Sequence, residues 1–353
     1  MDKALVSVVI PAFNAAENIG QTLDSVLAQT YSKIEVIVVD DGSSDATSAV
    51  VKEFAARDAR IQLLEQRNAG AGAARNTAIR KARGKYIAPL DADDFWFPEK
   101  LEKQVARLEQ CGRETGLVYC WSMSINQRGE LFDDCSHTVE GRLRRALILR
   151  NIVGNGSVPL LPASTLEKVG LYLTRAEQGG VQGCEDWDLY LRIAEHFDVR
   201  VVPEYLMAYR KAGSSMSANA ETMATSFGVV MRRARKRNSD LRSSLFRWSA
   251  GSFYLYLVEN SYLWGHYHQC LRFLQEAVRA DPALLLRTSI YKTSIRTLIK
   301  TMVKNSTRDS PVWPVDGKRD GPSTEKKKRP FISNQIFDNI ERRRWSAALE
   351  DGA

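Results

Sequence analysis

Cysteine and histidine are sparse in this chain of 353 residues, and long apolar runs are missing. The five cysteines (Cys111, Cys120, Cys135, Cys184, Cys270) are scattered, odd in number and without CxxC spacing. That argues against a disulfide framework and a zinc site, and suits a reducing cytoplasm. The four histidines share no spacing that would assemble a site. Apolar stretches such as Ile34 to Val39 fall far short of the ~20 residues a membrane span needs, which excludes a multi-span membrane protein. Met1 to Val9 has no basic segment leading into a long apolar one, so no secretory leader is read. A Walker A loop is absent. Gly70-Ala71-Gly72-Ala73-Ala74-Arg75 imitates half of a dinucleotide fingerprint, but Arg75 stands where the third glycine belongs. It reads better as a turn feeding a helix, with Arg75 reaching toward an anion.

What remains is ordinary globular material. Apolar residues make up 44% and charged residues 26%, which excludes a wholly disordered or collagen-like chain, and the length fits about two domains. The net charge of +8 is unevenly placed. Residues 1–230 hold 26 Lys+Arg and 30 Asp+Glu, a net of −4, whereas residues 231–353 hold 24 and 12, a net of +12.

The first 110 residues alternate strand and helix patterns. Val6 to Pro11, Ile34 to Val39, Ile61 to Leu64 and Tyr86 to Leu90 read as strands. Helical spacing recurs in Asn14 to Gln29, around Val50, Val51 and Phe54, and in Ala73 to Ala82. Such alternation predicts a parallel α/β sheet, whose ligands bind beyond the C-terminal strand ends. Leu117 to Met123 predicts a further strand and Asp186 to Phe197 a helix. Val199 to Val202 and Leu206 to Arg210 predict two more strands. Residues 219–305 read as helices, and Gly265-His266-Tyr267, Cys270, Phe273-Leu274, Ala277 and Asp281-Pro282 resemble one tetratricopeptide-type hairpin, which must dock on something else to bury its face. Residues 306–330 read as disordered, and Ile336 to Leu349 as a last amphipathic helix.

Three acidic clusters follow the predicted strands or open a predicted helix. Asp91-Ala92-Asp93-Asp94 sets three carboxylates in four residues, a costly arrangement unless a cation or several donors are present. Hard oxygen ligands suit Mg²⁺ or Mn²⁺, ions that keep waters and also bind phosphates; capping of the helix beginning near Pro98 is the simpler alternative. Asp40-Asp41-Gly42-Ser43-Ser44-Asp45 reads either as a capped turn or as a carboxylate that recognises a base or ribose. Cys184-Glu185-Asp186-Trp187-Asp188 places acids at a helix start, which the helix dipole explains and which general-base chemistry would also use.

Taken in order, these pieces resemble family-2 glycosyltransferases of the GT-A fold over about residues 5–217. The resemblance is carried by Val6-Ser7-Val8-Val9-Ile10-Pro11-Ala12-Phe13-Asn14, by Val38-Val39-Asp40-Asp41-Gly42-Ser43, by Ala73-Ala74-Arg75-Asn76, by Asp91-Ala92-Asp93-Asp94, by Glu185-Asp186-Trp187-Asp188 and by Tyr209-Arg210. It implies an α/β fold with a Rossmann-like, mostly parallel sheet flanked by helices over residues 1–218. The C-terminal third is not explained by the resemblance: the residues themselves predict an α-helical region over 219–305 and a disordered basic tail with a short terminal helix over 306–353. The resemblance also implies an inverting transfer from a nucleotide-sugar donor, a UDP-sugar above all, to a glycan or lipid-linked acceptor in surface polysaccharide synthesis. Pro11 and Phe13 would line the base pocket, Glu17 would sit near the ribose, and Asp41 would accept from the uracil. Arg75 and Ala92 would lie beside the nucleotide. Asp91 would touch the ribose or a metal-bound water, Asp93 would hold Mn²⁺ or Mg²⁺, and Asp186 would be the catalytic base. Lys211-Ala212-Gly213 stand where many relatives carry a histidine, and Ser214 to Ser217 resembles a closing loop. The processive-synthase Gln-x-x-Arg-Trp motif is absent, which implies single-sugar transfer. A GT-A scaffold without catalysis, serving as a binding module, is the alternative. A sugar nucleotidyltransferase would need a Gly-rich basic loop where Pro11-Ala12-Phe13-Asn14 stands.

The C-terminal charge has a pattern of its own. Arg287, Lys292, Arg296, Lys300 and Lys304 are interleaved with Ile290, Ile295, Leu298, Ile299, Met302 and Val303. A basic amphipathic helix of this kind suits the anionic inner face of a plasma membrane, and a docked helix with a solvated basic face is the simpler alternative. No recognised nucleic-acid-binding fold accompanies the charge, so the expected location is cytoplasmic, peripheral at the membrane. Removing the residues beyond about 230 is expected to weaken co-sedimentation with anionic liposomes; equal binding by the shortened chain would contradict this.

Overall fold

The computed structural model describes residues 3–211, 216–304 and 335–350. Strands β1 (Val6–Ala12), β2 (Ile34–Asp40), β3 (Ile61–Glu65) and β4 (Tyr86–Pro89) alternate with helices α1 (Ile19–Leu27), α2 (Thr47–Arg57) and α3 (Ala71–Lys81). They form a parallel sheet in the order β3-β2-β1-β4. Every residue of β2 is buried, as expected of Val/Ile-rich strands covered on both faces.

Next come β5 (Phe95–Trp96), α4 (Lys100–Cys111), β6 (Thr115–Ile125), β7 (Leu131–Cys135), α5 (Arg144–Leu149), β8 (Leu161–Pro162), α6 (Ala163–Val169), α7 (Glu185–Ala194) and β9 (Asp198–Arg210). β8 adds antiparallel to β4. The remaining strands form a second sheet, β5-β9-β6-β7, which is mixed: β9 runs parallel to β6 and antiparallel to β5. The expectation of a mostly parallel sheet therefore describes the first sheet and not the second. Two-residue strands such as β5 and β8 are too short to leave a periodicity in the sequence.

The two strands expected at 199–202 and 206–210 are one bulged strand. Its register against β6 jumps between Cys120, opposite Val202, and Trp121, opposite Tyr205. Pro203 lies in the skipped segment, where a residue without an N–H does least harm.

Helices α8 (Ala220–Arg237), α9 (Ser243–Leu263), α10 (Tyr267–Ala280), α11 (Thr288–Lys304) and α12 (Gln335–Leu349) complete the described chain. α9 and α10 form the expected hairpin, turning at Gly265 with φ +71°, a conformation glycine adopts without steric cost. Cys270, Phe273, Leu274 and Ala277 are its buried face. The segment expected to be disordered, 306–330, lies outside the described residues.

The C-terminal helices share one hydrophobic core with the sheets. Trp187 on α7 packs against Phe227 of α8 at 5.5 Å and Phe253 of α9 at 5.8 Å, and the two phenylalanines stack at 4.1 Å. The Trp187 indole N–H donates to the Leu147 carbonyl of α5 at 2.8 Å. From α12, Arg344 grips both oxygens of Asp281 and lies 4.5 Å over the Trp248 ring. Trp187→Ala is expected to cost about 3–5 kcal/mol, the range for truncating a buried aromatic, read as a lower midpoint in urea unfolding.

Candidate active site

The acidic loops meet at the C-terminal ends of β1, β2 and β4. The chain leaves β1 through Asn14, which has φ +49°, uncommon but tolerated by Asn. Its side-chain oxygen accepts from the Ser44 N–H at 2.9 Å, and the Ala16 N–H donates to Asp45 at 3.1 Å. Asp40 accepts from the Ser43 N–H, and Asp45 from Thr47. Asp40 thus closes the turn of its own loop, while Asp45 ties that loop to the one after β1. Beside them Phe13 is 52% exposed, a large aromatic left open to solvent. Pro11 is half-buried in register with Val39, and Glu17 is exposed.

Asp41 is buried and accepts from the Gln66 side chain at 2.7 Å and from the Ala69 and Gly70 N–H groups at 2.8 Å. It orders the entry to α3. Gly70 has φ +93°, and a Cβ on Gly72 would lie 2.2 Å from the Leu173 carbonyl oxygen. These glycines therefore serve a strained turn and a close backbone approach, as expected for a turn feeding a helix.

The loop after β4 is held from three directions. The Ala92 carbonyl accepts from the Thr22 hydroxyl at 2.9 Å, which directs that residue toward α1. Asp94 is fully buried and accepts from the Ser157 hydroxyl at 2.6 Å and the Arg210 N–H at 2.9 Å. Burial, then Asp93 and Asp91, raise its carboxyl well above the usual range. The Arg210 guanidinium donates to the Asp93 carbonyl and to Gln21. The Asp93 carboxylate, by contrast, takes a hydrogen bond from its own backbone N–H and from no other described residue. Burial and the neighbouring Asp91 push it up to about 6.

Arg75 was expected beside a nucleotide. It is buried to 3% exposure, with one end on Asp91 and the other on Glu185 at 3.0 Å. Burial alone would lower its pKa; the two carboxylates override this and hold it well above the ordinary value. Tyr172 lies under the guanidinium at 5.3 Å, and a Cβ on Gly156 would come within 3.1 Å of it. The second Glu185 oxygen accepts from the Gly183 N–H at 2.9 Å. Asp186, next along α7, caps the Trp187 N–H at 2.6 Å. Burial first, then Glu185, push its pKa up to about 7, against the opposing pull of Arg75.

The structure thus gathers Asp91, Asp93, Arg75 and Asp186 into one cluster, with Phe13, Pro11, Glu17 and Asp41 on the adjoining strand ends. The sequence reading gave no roles to Glu185, Asp94, Ser157 and Tyr172; the first two sat inside quoted motifs, while Ser157 and Tyr172 carried no signal. Tyr256 of α9, at 36% exposure, stands within electrostatic reach of Asp186. Among the described residues no three His, Cys, Asp or Glu side chains converge to hold a metal ion by themselves. Asp93, with its open carboxylate, and Asp91 are the groups that could hold a hard cation, provided other oxygens complete its shell.

The sequence model of the family "Glycosyl transferase family 2" matches residues 7–155. The putative teichuronic acid biosynthesis glycosyltransferase TuaG of Bacillus subtilis is 31% identical over 219 residues, 62% of this chain and 83% of that protein. The UDP-Glc:alpha-D-GlcNAc-diphosphoundecaprenol beta-1,3-glucosyltransferase WfgD of Escherichia coli is 48% identical over 109 residues, 31% of this chain and 42% of its own length. The chain spans 58% and 62% of the length of two rickettsial relatives. Among solved structures, S. aureus TarS residues 1–349 with UDP-GlcNAc superposes with a TM-score of 0.58 at 16% identity, over 85% of this chain and 91% of that one. That likeness places the chain in the GT-A fold.

The raised Asp186 pKa has a consequence for stability. The folded state holds this proton more tightly than the unfolded chain does, so stability is lost as pH rises from the unfolded value near 4 through about 7. Asp186→Asn keeps the cap and lacks the buried charge. It is expected to be more stable than the parent by about 1–3 kcal/mol at pH 8, and by much less at pH 4. Urea unfolding at the two pH values measures this.

Proposed function

Because the chain belongs to family 2 of the glycosyl transferases, we propose that it moves one sugar from a nucleotide diphosphate donor to a hydroxyl of a glycan or lipid-linked acceptor, with inversion at the anomeric carbon. The observation that carries this reading is the Asp91–Arg75–Glu185 bridge, which joins the loop at the β4 end, with the open carboxylate of Asp93, to the start of α7, where Asp186 stands. Displacement of a diphosphate needs both sites: negative charge neutralised on the leaving group, and a base for the incoming hydroxyl.

The roles divide accordingly. Exposed Phe13 stacks on the nucleotide base, with Pro11 at its edge and Glu17 toward the ribose. Asp41 spends one Oδ2 lone pair on Gly70 and has another for a base N–H. Asp91 and Ala92 line the ribose and diphosphate side. Mn²⁺ or Mg²⁺ held by Asp93 and Asp91 would offset the charge of the departing diphosphate. Arg75, beside the nucleotide, holds Asp91 and Glu185 in place. Asp186, with a pKa near neutrality, takes the proton of the acceptor hydroxyl. WfgD is named for UDP-Glc and a diphosphoundecaprenol acceptor, which supports a UDP-sugar donor and a lipid-linked acceptor here, as does TuaG's name for surface polysaccharide synthesis.

Mass spectrometry of a UDP-sugar panel with purified protein and Mn²⁺ is expected to show donor turnover that a chelator removes. Asp186→Asn is expected to lower kcat about 100- to 10,000-fold with donor binding retained. Asp93→Ala is expected to abolish the metal-dependent part of UDP binding in calorimetry. The parent's kcat is expected to rise with pH through about 7 as Asp186 ionises. A chain that binds neither UDP nor Mn²⁺ is instead a binding module on a GT-A scaffold.

A further inference from the structure

The sequence left α11 between two readings, a membrane-facing helix and a docked helix with a wet basic face. The structure gives the helix three faces. Ile290 and Thr297 are buried, at 6% and 1% exposure, and form its docked side. Tyr291, Ile295, Leu298 and Ile299 are 51%, 58%, 44% and 55% exposed. Their i, i+4, i+7, i+8 spacing puts them in one stripe. Lys292, Arg296 and Lys300, also exposed and in no ion pair among the described residues, form a second stripe. At 100° per residue the docked, apolar and basic faces each take roughly a third of the circumference. The apolar stripe is thus additional to the docked face, and the basic stripe borders it.

We propose that α11 is a membrane-docking helix, lying in the plane of an anionic bilayer with its apolar stripe among the acyl chains and its basic stripe on the phosphates. A contiguous exposed apolar stripe bordered by charged residues is the pattern of a surface that meets a membrane or a partner. A hydrocarbon surface accepts them at any contact area, and an interfacial helix inserts by only about 5–10 Å. A second copy of the chain fits less well: a stable dimer needs about 800 Å² on each partner, some 20–30 residues, and the stripe offers four. No described helix is long and apolar enough to cross a membrane, so the contact is a surface one.

Cutting the chain near residue 230 is not a clean test of this. It would remove Leu257, Val258 and Phe273 from the shared core. Point variants of the full chain are cleaner, because the stripe residues are exposed. Sedimentation with phosphatidylcholine vesicles, with and without phosphatidylglycerol, is the measurement. The parent is expected to partition onto the phosphatidylglycerol vesicles in a salt-sensitive way. Replacing Lys292, Arg296 and Lys300 by Gln is expected to lower that partitioning roughly 100-fold. The Ile295→Ser, Leu298→Ser, Ile299→Ser variant is expected to lose it at an unchanged melting temperature and unchanged UDP binding. No vesicle binding by the parent, or equal binding by the serine variant, overturns the proposal. So does a parent dimer that the serine variant dissolves, which assigns the stripe to a second copy.

Discussion

A single buried guanidinium organises the site. Arg75 reaches Asp91 on the loop after β4 with one end and Glu185 at the start of α7 with the other. The two anchor points are 94 residues apart in the chain, and among the described residues no other side chain joins them directly. Removing one partner from such a buried pair leaves an uncompensated charge, which is far costlier than the net worth of the intact bridge. One cation, however, does not balance its surroundings. Asp91, Asp93, Glu185 and Asp186 crowd around it, and the excess negative charge helps to raise Asp93 and Asp186 toward neutrality. The excess negative charge favours a proton or another positive charge beside both carboxylates.

The bridge keeps its place through the backbone packed around it. Asp94 ties the same loop to Ser157 and to the end of β9, while Arg210 returns from β9 to Asp93 and Gln21. The glycines at 72 and 156 admit close neighbours that a Cβ would push away. Proximity and fixed orientation account for much of the barrier lowering available to the displacement we propose, and a grid of short, buried hydrogen bonds is how a fold supplies both.

The helices beyond β9 belong to the same architecture. Trp187 follows Asp186 directly, and its ring is held by Phe227 and Phe253 while its N–H is held by Leu147. The start of α7 is therefore clamped from outside the sheets, so the C-terminal helices bear on the geometry of Asp186 even though they carry none of the carboxylates. Tyr256 brings one of those helices within electrostatic reach of Asp186 itself.

Much of this was legible in the residues alone. Alternating Val/Ile runs and helical spacing determined the parallel sheet, because local periodicity reports which face is buried. The positions of Asp91, Asp93 and Asp186 after strand ends and at a helix start were equally readable, as was the turn role of Gly70. The mixed second sheet was not: β5 is two residues long, and the bulge at Pro203 made one strand look like two. Nor could spacing reveal that Arg75 is spent on a bridge, since its partners lie 16 and 110 positions away. The same limit applies to α11, whose sequence shows apolar and basic stripes but not which stripe docks. Periodicity and motif order are written locally in the chain. Which charge meets which, and which apolar face stays open, depends on contacts between distant segments, and only the folded structure makes those.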